Sequence, residues 1–164
     1  MDALAGTHVD HVGNAKDLSR FADGTFAALY ASHVLEHFDY MGELVNVLKE
    51  WKRVLEPGGT LHVSVPDLDV LASLFVRKDQ FSMDERFEIQ RMMFGGHISP
   101  YDYHLVGLNT EFLTVFLAAV GFVEIQKVPG FGLFVDTSTM TVGGVPISLN
   151  MVAKKPAPSL PPAG

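Results

Sequence analysis

Cysteine is absent from this chain, which excludes disulfides and thiolate metal ligands and fits a reducing compartment. Basic residues are few. Twelve Lys and Arg against 19 Asp and Glu leave a net charge of -7 and a pI near 5.4, so there is no basic footprint for nucleic acid or an anionic membrane surface. No apolar run reaches the roughly 18 residues of a membrane-spanning helix. The opening residues, MDALAGTHVDH, lack the basic and apolar regions of a secretion signal, and no segment repeats. What is present is ordinary for a soluble protein: 164 residues, 48 % apolar and 19 % charged, enough for one domain with a core. The expectation is a soluble cytoplasmic protein, with neither nucleic acid nor membrane as partner.

The most informative stretch is residues 25–67. Phe26 to Ala31 is continuously apolar over strand length, as for a strand buried on both faces. Polar Ser32, His33, Glu36 and His37 follow it directly. Met41 to Leu55 then has helical spacing, with Leu44, Val47, Leu48, Trp51 and Leu55 on one face. Pro57-Gly58-Gly59 stops that helix, and Leu61 to Val65 reads as a second strand. Further along, Asp67 to Val76 reads as a helix, and Asp67 reads as its N-cap. Ser82 with Glu85 three residues on forms a capping box for a helix to about Met93. Asn109 caps a helix over Glu111 to Ala119, closed by Gly121.

Phe122 to Val128 and Ile147 to Lys154 complete the strands, with a hairpin-like excursion between them. Thr7 to Val12 is a weak strand candidate. Strands alternating with helices imply crossovers and a mostly parallel sheet with helices on its faces. The last pair lacks a helix between its members, so an antiparallel C-terminal edge is expected. One domain is expected over residues 1–155, followed by a disordered Pro-rich tail at 156–164.

Two ordered segments, GNAKDLSRFADGTFAALYASHVLEH and LKEWKRVLEPGGTLHVSVPD, resemble the class I S-adenosylmethionine-dependent methyltransferases, in particular small ones carrying Glu-His after the fourth strand. YDYHLVGLNTEFLTVFLAAVGFVEI and GLFVDTSTMTVGGVPISLNMVAKK extend the likeness over roughly residues 12–155. The resemblance implies an α/β fold with a Rossmann-like methyltransferase sheet and S-adenosylmethionine as cofactor. It places Asn14 near the adenine amino group, Ala15 as a backbone contact to the ring and Leu18 packed nearby. Ser32 and His33 fall beside the methionine portion. The acceptor, a small molecule or saccharide, would lie near His33, His37, Tyr103 and His104, with His37, Tyr103 and His104 as the catalytic candidates.

The chain departs from the family at its start. The glycine-rich loop after the first family strand, and the acidic residue that holds the ribose hydroxyls, have no match before residue 8. The sheet is therefore expected to miss its first strands, through a truncated reading of a longer enzyme or through natural loss. Loss of the cofactor would leave a binding or oligomerisation module. The Phe26–Ala31 strand then has an open edge, which an apolar strand does not leave bare without risk of association. Either residues 7–12 fold back beside it or a second copy covers it as a homodimer.

Two clusters carry alternatives. His33-Val34-Leu35-Glu36-His37 spells H-x-x-E-H, which on a helix would set His33 and His37 on one face for zinc, with Glu36 as base and Glu111 as a third ligand. The plainer reading has Glu36 and His37 hydrogen-bonding around a loop, and no metal is assigned. Gly96 to His104 is dense in polar aromatics, suiting either a lid bearing a general base, Tyr103 or His104, or an aromatic loop packed on the sheet edge.

Overall fold

The computed structural model describes residues 6–158. Four strands, β1 (Phe26–Ser32), β2 (Leu55–Pro66), β3 (Val123–Val128) and β6 (Ser148–Lys154), form one sheet in the order β1-β2-β6-β3. β1 runs parallel to β2, while β6 is antiparallel to both β2 and β3. Three strands therefore point one way, and the antiparallel strand lies one place in from the C-terminal edge. Pro57-Gly58-Gly59 ends α1 (Glu43–Val54) as expected, but it lies inside β2 as a bulge, where pairing jumps from Phe26↔Leu55 to Ala28↔Thr60.

α1 buries Leu44, Val47, Leu48, Trp51 and Val54 against Leu61, Val63 and Val65 of β2 and Leu149, Met151 and Ala153 of β6. Leu113 and Leu117 of α4 (Thr110–Ala119) complete this core. A smaller cluster joins α2 (Leu68–Phe75) to α3 (Met83–Phe94) through Leu71, Leu74, Ile89 and Ile147. Val142 and Val145, from the hairpin of β4 (Thr141–Val142) and β5 (Val145–Pro146), pack against it.

The caps follow the sequence closely. Asp67 accepts from the amides of Asp69 and Val70, Ser82 and Glu85 form a reciprocal box, and Asn109 accepts from Phe112 N. Each satisfies amides that a helix start leaves orphaned.

Three expectations need correction. β1 is not buried on both faces: Ala27 and Ala28 are exposed, because β1 is an edge strand of the described sheet. Residues 7–12 form turns and one bridge position rather than a strand alongside it, since Val9 and Val12 are too little apolar surface to hold a strand on the edge. Helices also do not cover both faces. The face bearing Tyr30, His62 and Asn150 is covered by residues 129–140, through ring contacts of Phe131 with Tyr30 and His62 and of Phe134 with Tyr30. The Pro-rich tail lies, from residue 159 on, outside the described residues. No helix among them is long and apolar enough to cross a membrane.

Candidate functional site

The site is built where β1 ends. His33 N still donates to Ser64 O of β2 at 2.9 Å, but His33 itself takes φ 54°, a left-handed backbone that costs a non-glycine residue roughly 1–3 kcal/mol. The turn throws the chain into a single 3₁₀ turn, Leu35–His37, anchored by buried Leu35 and Phe38. This is why the H-x-x-E-H pattern does not act as a helical zinc motif. A 3₁₀ turn of three residues gives His33 and His37 no shared helical face, and Glu111 does not join their cluster.

A second segment comes to meet that turn. The Glu36 carbonyl accepts from Leu105 N at 2.7 Å and Val106 N at 3.3 Å, and His104 N donates to Phe94 O at 3.1 Å. The loop doubles back tightly at Gly95, where φ is 87° and a β-carbon would collide with the Asp102 carbonyl. Only glycine meets both conditions. His104 is thereby set against His37, ring centroids 5.0 Å apart and edge to face, while Tyr103 stacks on His97 at 4.1 Å. His37 Nδ1 lies 3.0 Å from the Tyr103 carbonyl. A carbonyl only accepts, so Nδ1 carries the proton and Nε2 keeps the lone pair. Burial, above all, pushes the His104 imidazole below its ordinary value; Glu36 works in the opposite sense and His37 adds to the lowering.

A cavity of about 1170 Å³ opens beside β1. Its lining includes Asn14, Ala15 and Leu18 on one side, Ser32 and His33 at the strand end, and His37 and Tyr103 beyond. Every proposed cofactor contact thus borders one space, together with two of the three catalytic candidates. His104 does not line it. It borders a smaller pocket of about 270 Å³ that shares His33 with the large one.

Partly buried bonds fix the wall at residues 14–18. Trp51 Nε1 donates to Ala15 O at 2.8 Å, Leu18 N donates to Glu50 Oε1 at 3.0 Å, and Arg53 Nη2 donates to Leu18 O at 3.0 Å. The Arg53 guanidinium beside Glu50 holds that carboxyl below its usual range. Asn14 is less free than the sequence implied, because its Oδ1 accepts from Lys16 N at 3.1 Å.

Residues 3–63 match the family described as the methyltransferase domain. Among solved structures, the chain is similar to a SAM-dependent methyltransferase from Methanosarcina mazei (18 % identity, TM-score 0.57, covering 90 % of this chain and 67 % of that one). It is also similar to one from Archaeoglobus fulgidus (16 %, 0.54, 88 % and 66 %) and to human N-acetylserotonin methyltransferase in complex with SAM (14 %, 0.52, 90 % and 33 %). The fold is that of the class I methyltransferases. No curated protein matches by sequence. The chain spans 43 %, 34 % and 65 % of the length of three further structures it matches, roughly a third to two thirds of such proteins.

In a methyltransferase sheet of this kind, the carboxyl ends of the parallel strands face the ligand crevice. Here the ends of β1 and β2 carry Ser32, His33 and Asp67. Asp67 is committed elsewhere, capping α2 and pairing with Lys127 at 3.0 Å. Asn14, Ala15 and Leu18, which the resemblance assigns to the adenine portion of the cofactor, and Ser32 and His33, which it assigns to the methionine portion, border the same cavity. Among the described residues, no strand followed by a glycine-rich loop precedes β1.

Two polar groupings escaped sequence reasoning. Tyr30 Oη donates to Asp136 Oδ2 at 2.6 Å, and Ser32 Oγ lies 3.2 Å from Thr137 Oγ1, so the 136–138 turn docks on the sheet face that carries Tyr30 and Ser32. The hydroxyls lie more than a hundred residues apart, with no pattern to announce the pairing. The second is the isolation of the Glu36 carboxylate: the sequence singled the residue out and expected it to hydrogen-bond around the loop, but it is nearly fully buried with neither oxygen hydrogen-bonded.

Proposed function

We propose that this chain is an S-adenosylmethionine-dependent methyltransferase domain acting on a small-molecule or saccharide acceptor. The observation that carries the reading is the single cavity bordered by Asn14, Ala15, Leu18, Ser32 and His33 and, at its far side, by His37 and Tyr103. Asn14 to Leu18 would cradle the adenine, with Leu18 as the apolar contact, and Ser32 and His33 would flank the methionine chain. When bound, the cofactor supplies a sulfonium methyl group, an electrophile already activated for displacement.

The chain's part is to hold an acceptor in line and receive its proton. His37 suits this because Nδ1 is committed to the Tyr103 carbonyl, leaving Nε2 as acceptor. Tyr103, beside it, would position the acceptor. His104, in contact with His37 but outside the cavity, would act through His37 and is a positioning residue in this scheme.

Irradiating the protein with radiolabelled S-adenosylmethionine, followed by peptide mapping, tests the reading. Label should fall on peptides containing residues 14–18 or 32–37 and be competed away by S-adenosylhomocysteine. Uniform or uncompeted labelling contradicts it.

The edge position of β1 supports a second, compatible reading: a homodimer formed through that edge, with or without catalysis. Light scattering on the eluting peak reads the mass directly, and a strict monomer at high concentration removes it.

A further inference from the structure

Glu36 presents an unsolved hydrogen-bonding problem. Its side chain is buried, 1 % exposed, and both carboxylate oxygens lack a hydrogen-bond partner. Leaving a buried polar group unsatisfied is expensive, and a charged one more so. No neighbouring side chain relieves it with a hydrogen bond.

His33 Nδ1 lies 3.4 Å from Glu36 Oε1, without hydrogen-bond geometry. Its other nitrogen, Nε2, is 3.1 Å from Ser148 Oγ. Ser148 has already spent its one hydroxyl proton on the Thr137 carbonyl at 2.8 Å. His33 must therefore donate from Nε2, and in the neutral ring Nδ1 is a bare lone pair. His37 is in the mirror situation: Nδ1 donates to the Tyr103 carbonyl and Nε2 is bare. The His104 ring stands edge to face with His37. One ligand atom each of Glu36, His37 and His104 lies within 4.8 Å of the others. A buried carboxylate and two imidazoles thus meet in one place, and neither carboxylate oxygen is hydrogen-bonded. A cation held between them would satisfy the carboxylate.

We propose that Glu36, His37 and His104 form a binding site for a divalent transition-metal cation of the zinc or ferrous class. Two imidazoles and one carboxylate are the ligand set such ions take in sites that keep positions open for water or substrate. Metal–ligand bonds of about 2.0–2.2 Å require donors a little closer than they stand, a closing movement of under about 1 Å within reach of ring rotation. The Tyr103 carbonyl on His37 Nδ1 is the kind of outer partner that fixes a ligating imidazole's tautomer. His33 sits where it would steady Glu36. Access exists from two sides, since His37 borders the large cavity and His104 the small one.

This set is distinct from the H-x-x-E-H reading. His33 is not a ligand in it, Glu36 is a ligand rather than a base, and the third ligand comes from the loop at His104. The site rests on this geometry alone. Its place in catalysis rests on the methyltransferase reading: an acceptor hydroxyl bound to the cation would pass its proton more readily to water in the open cavity, and His37 would then be a ligand instead of the base.

The test uses the untagged chain, stripped with chelator and titrated with Zn²⁺ by calorimetry and with Co²⁺ by visible absorption. One ion per chain is expected, with the ligand-field bands of a low-coordinate nitrogen and oxygen site. Glu36→Gln and His104→Ala should each weaken Zn²⁺ binding by at least about tenfold, and His8→Ala, outside the cluster, should leave it unchanged. Zn²⁺ should raise the melting temperature of the wild type but not of Glu36→Gln. Should one of the two variants fail to fold, the other still decides. Substoichiometric uptake by the wild type, or full binding retained in either cluster variant, overturns the site. Zn²⁺ bound by a chain that ignores S-adenosylhomocysteine would keep the site and remove the methyltransferase reading.

Discussion

Trp51→Phe tests how the cavity wall at residues 14–18 is held. The indole is 2 % exposed, and its Nε1–H donates to the Ala15 carbonyl at 2.8 Å across 36 residues of sequence. The substitution removes one hydrogen bond, worth about 1 kcal/mol, and leaves a partly buried carbonyl in need of a new donor. It also deletes part of a buried ring system, so a further 1–2 kcal/mol or so follows from lost apolar burial and the space left behind. Together these come to about 2–3 kcal/mol. For a chain of this size that corresponds to a fall in melting temperature of roughly 4–12 °C.

Circular dichroism measures the melt, since Trp51 is the only tryptophan and its loss removes intrinsic indole fluorescence. Hydrogen exchange then separates the local effect from the global one. Leu48→Ala, on the same helix face and fully buried, should cost about 2–5 kcal/mol without touching Ala15. The Leu18 amide, bonded to Glu50, should exchange faster in Trp51→Phe than global destabilisation accounts for, and in Leu48→Ala it should not. Equal protection in both variants, or a Trp51→Phe melt within about 0.5 kcal/mol of wild type, would refute the claim that Trp51 fixes the wall.

Glu50→Gln should lower stability at neutral pH. Arg53 depresses the Glu50 carboxyl in the folded state, so its contribution is present above the unfolded value, about 4.3, and is lost as pH falls through the lower folded one. The gap between variant and wild type should close on acidification, as urea titrations at a series of pH values would report. Tyr30 titrates above its ordinary value, first through burial and then through Asp136. A spectrophotometric titration should find one phenol ionising late, absent from Tyr30→Phe. Stability from that shift holds below the unfolded phenol value and disappears as pH rises through the folded one. Asp67→Ala should destabilise by about 1–2 kcal/mol through loss of the α2 cap, and Asp67→Asn should recover most of that because Asn caps comparably well. An Asn variant as unstable as the Ala variant would shift the weight to the Lys127 pair instead.

Much of the scaffold was legible because local signals agreed. The apolar stripe of α1, the Ser82–Glu85 box and the Asn109 cap each located an element within a residue or two. β1 misled for a physical reason: Ala27 and Ala28 are apolar in composition but small, and they sit exposed on an edge strand. A run of apolar letters records no depth. The site was half legible. The polar cluster after β1 and the Tyr103–His104 loop were visible as residue types, but their meeting depends on the Glu36 carbonyl accepting from Leu105 and Val106. Backbone bonds of that kind leave no trace in side-chain pattern. The His33 backbone at φ 54° and the orphaned Glu36 oxygens likewise exist only once the chain has turned.

The central claim is that the cavity beside β1 binds the cofactor through the segments at residues 14–18 and 32–33. Isothermal titration of S-adenosylhomocysteine into the wild type and into Leu18→Glu, which places a carboxylate on the cavity wall at residues 14–18, tests it most directly. The account predicts saturable one-to-one binding to the wild type, lost in a Leu18→Glu variant that still shows the wild-type circular dichroism spectrum. No heat of binding to the folded wild type at millimolar ligand, or equal binding by the variant, would contradict it.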